Sequence, residues 1–145
     1  MTSDPLVVLV ADDDDAIRAL LAAAIGEESG LHVLTAADGA QALARSADDL
    51  RLLVADIVLP DVYGTKVRDQ LRRRHPNLRT LYISAHPATY LMQRGLLNET
   101  DLVLKKPFAL DDLAAGLAKL SFGEAIDRDA EALFRLDPEI YQTIS

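Results

Sequence analysis

The 145-residue chain contains no cysteine, which rules out disulfides and thiolate chemistry and fits a reducing compartment. A surplus of positive charge is missing too. Fifteen Lys and Arg stand against 23 Asp and Glu, for a net charge of -8, which argues against a nucleic-acid surface. No glycine-rich turn follows the first apolar run, so a dinucleotide fingerprint is lacking. No apolar segment approaches membrane-spanning length, and the start of the chain shows no basic stretch leading into a long apolar one. These absences leave a cytoplasmic protein without a membrane partner as the expectation. What is present is apolar residue in quantity. Half the residues are hydrophobic, enough for one domain with a full core and too many for global disorder.

The apolar residues come in short aliphatic runs separated by helical patterns. Leu6–Ala11 (LVVLVA) reads as a strand and ends in Asp12-Asp13-Asp14-Asp15. Ile17, Leu20, Leu21, Ala24 and Ile25 follow at helical spacing, with Gly30 beyond the helix end. Leu31–Ala36 is a second strand, Asp38-Gly39 a turn, and Ala40–Ala47 an alanine-rich helix. Leu52–Asp56 is a third strand, and Val67 and Leu71 carry a helix to Arg74. Arg72-Arg73-Arg74 then lies at a helix C-terminus, where positive charge complements the dipole. Leu78–Ser84 is a fourth strand, Thr89–Leu97 a weak helix and Asp101–Lys105 a fifth strand, and Leu110, Leu113, Leu117 and Leu120 form one more helical stripe. Strands alternating with helices of this length predict an α/β fold: a doubly wound parallel sheet with helices on both faces.

In such sheets, ligands gather outside the carboxyl ends of the strands. Four polar features stand there: the Asp12–Asp15 cluster, Asp56, Ser84 and Lys106. Adjacent aspartates disfavour one another's ionisation, and a hard divalent cation relieves that. Oxygen donors in an incomplete shell suit Mg²⁺. Asp14 and Asp15 fit a solvated helix start, with Asp15 as its cap, whereas Asp12 and Asp13 emerge directly from the strand. Next to a cation, Asp56 would be an ionised nucleophile, Lys106 a point charge for a phosphate oxygen and Ser84 a hydroxyl donor. Phosphoryl transfer rests on positioning and charge neutralisation, so these parts need no separate general base.

The segments VVLVADDDDAIRALL (7–21), LLVADIVLPDVYG (52–64), TLYISA (80–85) and LKKPF (104–108) resemble the receiver domains of two-component response regulators. The resemblance covers about residues 5–121. It implies Asp56 as phosphoacceptor, Asp13 as direct Mg²⁺ ligand, Asp12 acting through water, and the Val58 carbonyl as a further metal ligand. It implies Ser84 and Lys106 as phosphate contacts, a cis Lys106–Pro107 peptide, and five helices flanking a five-stranded sheet of order 2-1-3-4-5. A sensor histidine kinase or phosphotransfer protein would be the donor and a protein effector the downstream partner. The module would catalyse only its own phosphorylation and dephosphorylation. One departure stands out. Many receivers carry an aromatic three residues before the lysine, where this chain has Val103, and Tyr82, Tyr90 and Phe108 are the aromatics nearby.

The expected organisation is a receiver at 1–121 and a helical extension at 122–145. In the extension, Ile126, Ala130, Leu133 and Phe134 make an apolar face at helical spacing. That helix would pack on the receiver, or dock a partner or a second copy to form a homodimer. Two other functions compete. An aspartate-nucleophile phosphatase would usually show Asp-x-Asp at the first strand and a cap insertion; here the aspartates are contiguous and the nucleophile lies on the third strand. A receiver-like module that binds partners without phosphorylation is disfavoured by the complete set of acid, hydroxyl and lysine.

Overall fold

A computed structural model describes residues 6–26, 31–45, 49–98, 101–109 and 111–113. The elements run β1 (Leu6–Ala11), α1 (Asp15–Gly26), β2 (Leu31–Ala36), α2 (Gly39–Ala44), β3 (Leu50–Asp56), α3 (Gly64–Arg72), β4 (Arg79–Ser84), α4 (Ala88–Gln93) and β5 (Leu102–Lys105). The strands form one sheet in the order β2-β1-β3-β4-β5. The pairs β1–β2, β1–β3 and β4–β5 are parallel. Fold class and strand order are those expected from the sequence. The expected 122–145 extension, and all of the last helical stripe except a turn at 111–113, lie outside the described residues. The chain divides into two compact units, Met1–Thr80 and Leu81–Ser145.

In the first unit β1 is central and apolar on both faces, as a strand between parallel neighbours must be. Val7, Leu9 and Ala11 alternate to one side, where they join Leu53 and Ala55 of β3, Ala42 of α2, and Val67 and Leu71 of α3 in one buried cluster. Val8 and Val10 alternate to the other side and are equally buried. α1 lies against β1 and β2 and buries Leu21 and Ile25. Each such leucine or isoleucine contributes about 1.5–3 kcal/mol through burial.

Among the boundaries that differ from expectation, three do so for clear local reasons. β3 begins at Leu50, two residues early, because the register moves from Val7↔Leu50 to Val8↔Leu52; exposed Arg51 is the extra residue of that bulge. α1 is capped by Asp14 rather than Asp15: the Asp14 carboxylate accepts from Ile17 N–H at 3.0 Å, while Asp15 sits in the first turn and pairs with Arg18. α4 stops at Gln93 because Gly95 adopts φ +72°. Leu96 N–H then donates to Leu91 C=O and Gly95 N–H to Met92 C=O, the two bonds of a Schellman terminus.

In the second unit, β4 and β5 bury Leu81, Tyr82, Ile83, Leu102, Val103 and Leu104, joined by Ala88, Leu91 and Leu97. Tyr82 pairs with Val103 in the ladder, and both are fully buried. Tyr82 is therefore a core residue, and its neighbour on β5 is aliphatic.

Candidate functional site

The register between β1 and β3 assembles the acidic site. Ala11 is paired with Ala55, so Asp12 and Asp56 stand side by side at the carboxyl ends of two adjacent strands. Asp12 is fully buried. Its N–H donates to Ala36 C=O at 3.1 Å, and one carboxylate oxygen accepts from Asp14 N–H at 2.9 Å. Arg18 reaches back from α1 and donates to the Asp12 carbonyl at 2.8 Å, which pins the turn between β1 and α1. Asp13 is exposed and Asp56 half-buried. Asp12, Asp13 and Asp56 each offer an oxygen within 4.8 Å of the others.

That donor set fits a hard cation. Two oxygens bound to one Mg²⁺ at about 2.0–2.1 Å lie about 2.9 Å apart in adjacent positions and about 4.2 Å apart in opposite ones. Two of the carboxylates would therefore draw together to ligate the ion directly, while the third reaches it through water. All are oxygen donors and only three are carboxylates, which leaves positions for water and a backbone carbonyl.

The loop from β3 to α3 is built around Asp56. Val58 N–H donates to Asp56 Oδ1 at 3.0 Å. Val58 and Tyr63 form an isolated antiparallel bridge, flanked by Gly64 N–H to Ile57 C=O at 2.7 Å and Leu59 N–H to Val62 C=O at 3.2 Å. Gly64 is required by close approach, since a Cβ there would lie 2.3 Å from the Asp56 carbonyl oxygen.

The second unit presents the hydroxyl and the lysine. Ser84 ends β4 almost fully buried, and its Oγ accepts from His86 N–H at 2.9 Å. Lys106 N–H donates to Ser84 C=O at 2.7 Å, so the backbone fixes these two residues together. The Lys106–Pro107 peptide is cis, as expected from the motif. Of the remaining aromatics, Tyr90 is on the surface, stacked on His86 with ring centroids 4.9 Å apart and covered by the Arg94 guanidinium at 4.9 Å. Phe108 is half-buried.

Residues 8–118 match the model of the response regulator receiver domain. The chain belongs to that family. Its relatives include the transcriptional regulatory protein TcrA of Mycobacterium tuberculosis, 39% identical over 136 residues that cover 90% of this chain and 53% of that one. The response regulator receiver protein CpdR of Brucella abortus is 32% identical over 114 residues, covering 78% of this chain and 94% of that one. Among solved structures, chemotaxis protein CheY4 of Vibrio cholerae superposes with a TM-score of 0.68 at 25% identity, covering 80% of this chain and 98% of that one. The chain spans about half the length of several curated relatives it matches. As a receiver it is a signalling module of two-component systems, and receivers are generally not classed as enzymes.

Asp12, Asp13 and Asp56 come together as the sequence indicates, and Ser84 and Lys106 are joined through their backbones. The sequence reading missed Arg18, Gly39 and Asp61. Gly39 and Ala40 N–H groups donate to the two Asp61 carboxylate oxygens at 2.8 and 3.0 Å. No motif marks such a contact.

Proposed function

We propose that Asp56 accepts a phosphoryl group from the phosphohistidine of a sensor kinase or phosphotransfer protein, and that the modification switches a protein-binding surface. The observation that carries this reading is the convergence of Asp12, Asp13 and Asp56 within 4.8 Å at the carboxyl ends of β1 and β3. An Asp56 carboxylate oxygen forms the new P–O bond as the donor's P–N bond breaks and its imidazole departs. Asp13 and Asp56 would hold Mg²⁺ together with the Val58 carbonyl, with Asp12 acting through water. The ion would neutralise charge on the transferring group. Ser84 would donate its hydroxyl, and Lys106 its ammonium, to phosphoryl oxygens once the group is in place.

The new group brings a charge of about -1.5 to -2 if it behaves like other phosphoresidues. Such a change can bias a segment between two arrangements. Cytoplasmic placement follows from the proposed donor, and among the described residues no helix is long and apolar enough to cross a membrane. Curated relatives are named for transcription. The expectation of no nucleic-acid partner rests on charge, and we keep it for these 145 residues without extending it to the proteins they serve.

The test is incubation with Mg²⁺ and a small acyl phosphate, followed by intact-mass measurement. The parent is expected to gain one phosphoryl mass and Asp56→Asn none. Equal labelling of that variant would remove Asp56 from the role.

A further inference from the structure

The loop between β3 and α3 has to deliver the Val58 carbonyl while remaining tied to Asp56. Inside the loop, the bridge hydrogen bonds are made by Ile57 with Gly64 and by Leu59 with Val62. Val58 and Tyr63 are thus the non-hydrogen-bonded pair of the bridge. The Tyr63 carbonyl accepts from the Lys66 and Val67 N–H groups of α3, and the bridge makes no use of the Val58 carbonyl. The Val58 N–H is already committed to Asp56. Pairing of this kind sets the loop's shape but does not fix its tip.

The tip is held from outside the loop. Asp61 Oδ1 accepts from Gly39 N–H at 2.8 Å and Oδ2 from Ala40 N–H at 3.0 Å, across 22 and 21 residues of sequence. These N–H groups open α2 and have no acceptor within the helix. The N–H of Gln41 is taken by the Asp38 cap at 2.8 Å, so the first three amides of α2 are satisfied by two carboxylates. Two bonds from two oxygens to successive amides fix both the position and the plane of the Asp61 group. Packing enforces the same seat. A Cβ on residue 39 would lie 2.3 Å from Val62 Cγ2 and 3.1 Å from Asp61 Oδ1, so the loop closes onto α2 only over a glycine.

We infer that Asp61 is a positioning residue for the metal site, clasping the β3–α3 loop to the start of α2 so that the Val58 carbonyl is held where a cation needs it. The inference rests on the metal-dependent phosphoacceptor reading. Ligand atoms must be set to within about 0.5 Å, and groups behind the ligands do that setting. Loss of such a group typically weakens metal binding by about 10–100-fold.

The test is a Mg²⁺ titration of the unphosphorylated protein, followed by backbone amide NMR, with amide exchange measured at Gly39 and Ala40. Asp61→Ala is expected to raise the half-saturating Mg²⁺ concentration about tenfold, the low end of that range because the bridge remains. Asp61→Asn, which keeps one acceptor oxygen, should fall between the two, and exchange at Gly39 and Ala40 should quicken in both. Faster exchange and a lower melting temperature with unchanged half-saturation would make Asp61 merely structural and overturn the inference. Should Asp61→Ala fail to fold, Asp61→Asn and Gly39→Ala carry the same comparison. A parent with no Mg²⁺ response, or a response that Asp13→Asn leaves intact, would overturn the metal reading itself and this inference with it.

Discussion

Asp61 also makes a prediction that needs no ligand. Chiefly the Gly39 N–H, with Ala40 and the loop's own amides adding to it, holds the Asp61 carboxyl below its ordinary value of 3.8. A carboxyl depressed on folding stabilises the folded state above its unfolded value and loses that contribution as pH falls through the folded one. The stability difference between the parent and Asp61→Asn should therefore be full at about pH 7 and shrink below about pH 4. Urea unfolding across that range measures it, and a difference independent of pH would show that the clasp does not depend on charge. The residue also marks where the sequence stops being readable. Asp12, Asp13 and Asp56 could be found because each follows an aliphatic run, and a carboxylate at a strand end stands out. Asp61 could not. Its partners are backbone amides more than twenty residues away, and every residue but proline carries one. Arg18 was hidden in the same way, because it donates to a main-chain carbonyl.

At the level of elements, the hydrophobic pattern placed all five strands and left their edges to chain geometry. Leu52–Asp56 read as a strand because its aliphatics are unbroken, yet the pairing extends to Leu50 through the bulge at Arg51. An exposed arginine breaks the apolar run, and only the partner strand's register shows that it belongs. α4 ends before its apolar pattern does for a related reason. Tyr90, Leu91 and Leu97 continue an apolar pattern across Gly95, but Gly95 reverses the backbone at φ +72° and turns Leu96 back onto Leu91. A glycine near a helix end signals a stop only when its dihedral angle is known. Nothing lies within 4 Å of a Cβ built on Gly95, so Gly95→Ala isolates the backbone term from packing. It is expected to destabilise the fold by about 1–2 kcal/mol, the cost of a left-handed alanine. The labelling of Asp56 by an acyl phosphate should be unchanged. Chemical denaturation measures the first quantity, and an unchanged midpoint would mean that α4 ends elsewhere in solution.

For the whole molecule, charge and folding meet at the same place. The chain carries a net charge of -8, and the oxygens of Asp12, Asp13 and Asp56 gather within 4.8 Å. Such a cluster opposes folding through self-repulsion, so a cation bound there should favour the folded state over the unfolded chain, in which the three residues lie apart. Linkage sets the size of the effect. At a free Mg²⁺ concentration about ten times the dissociation constant, the stabilisation is about 1.4 kcal/mol. For a chain of this length that corresponds to a rise in melting temperature of about 3–6 °C. General screening by salt would also relieve repulsion, so the comparison is made against sodium chloride at equal ionic strength. Asp13→Asn should melt higher than the parent without Mg²⁺, because one repelling charge is gone, and should respond little when Mg²⁺ is added. Asp56→Asn should behave likewise. Differential scanning calorimetry of the parent and the two variants, with Mg²⁺ and with sodium, separates a bound ion from a screened cluster. Equal responses to the two salts in all three proteins would leave the acidic site without a specific cation.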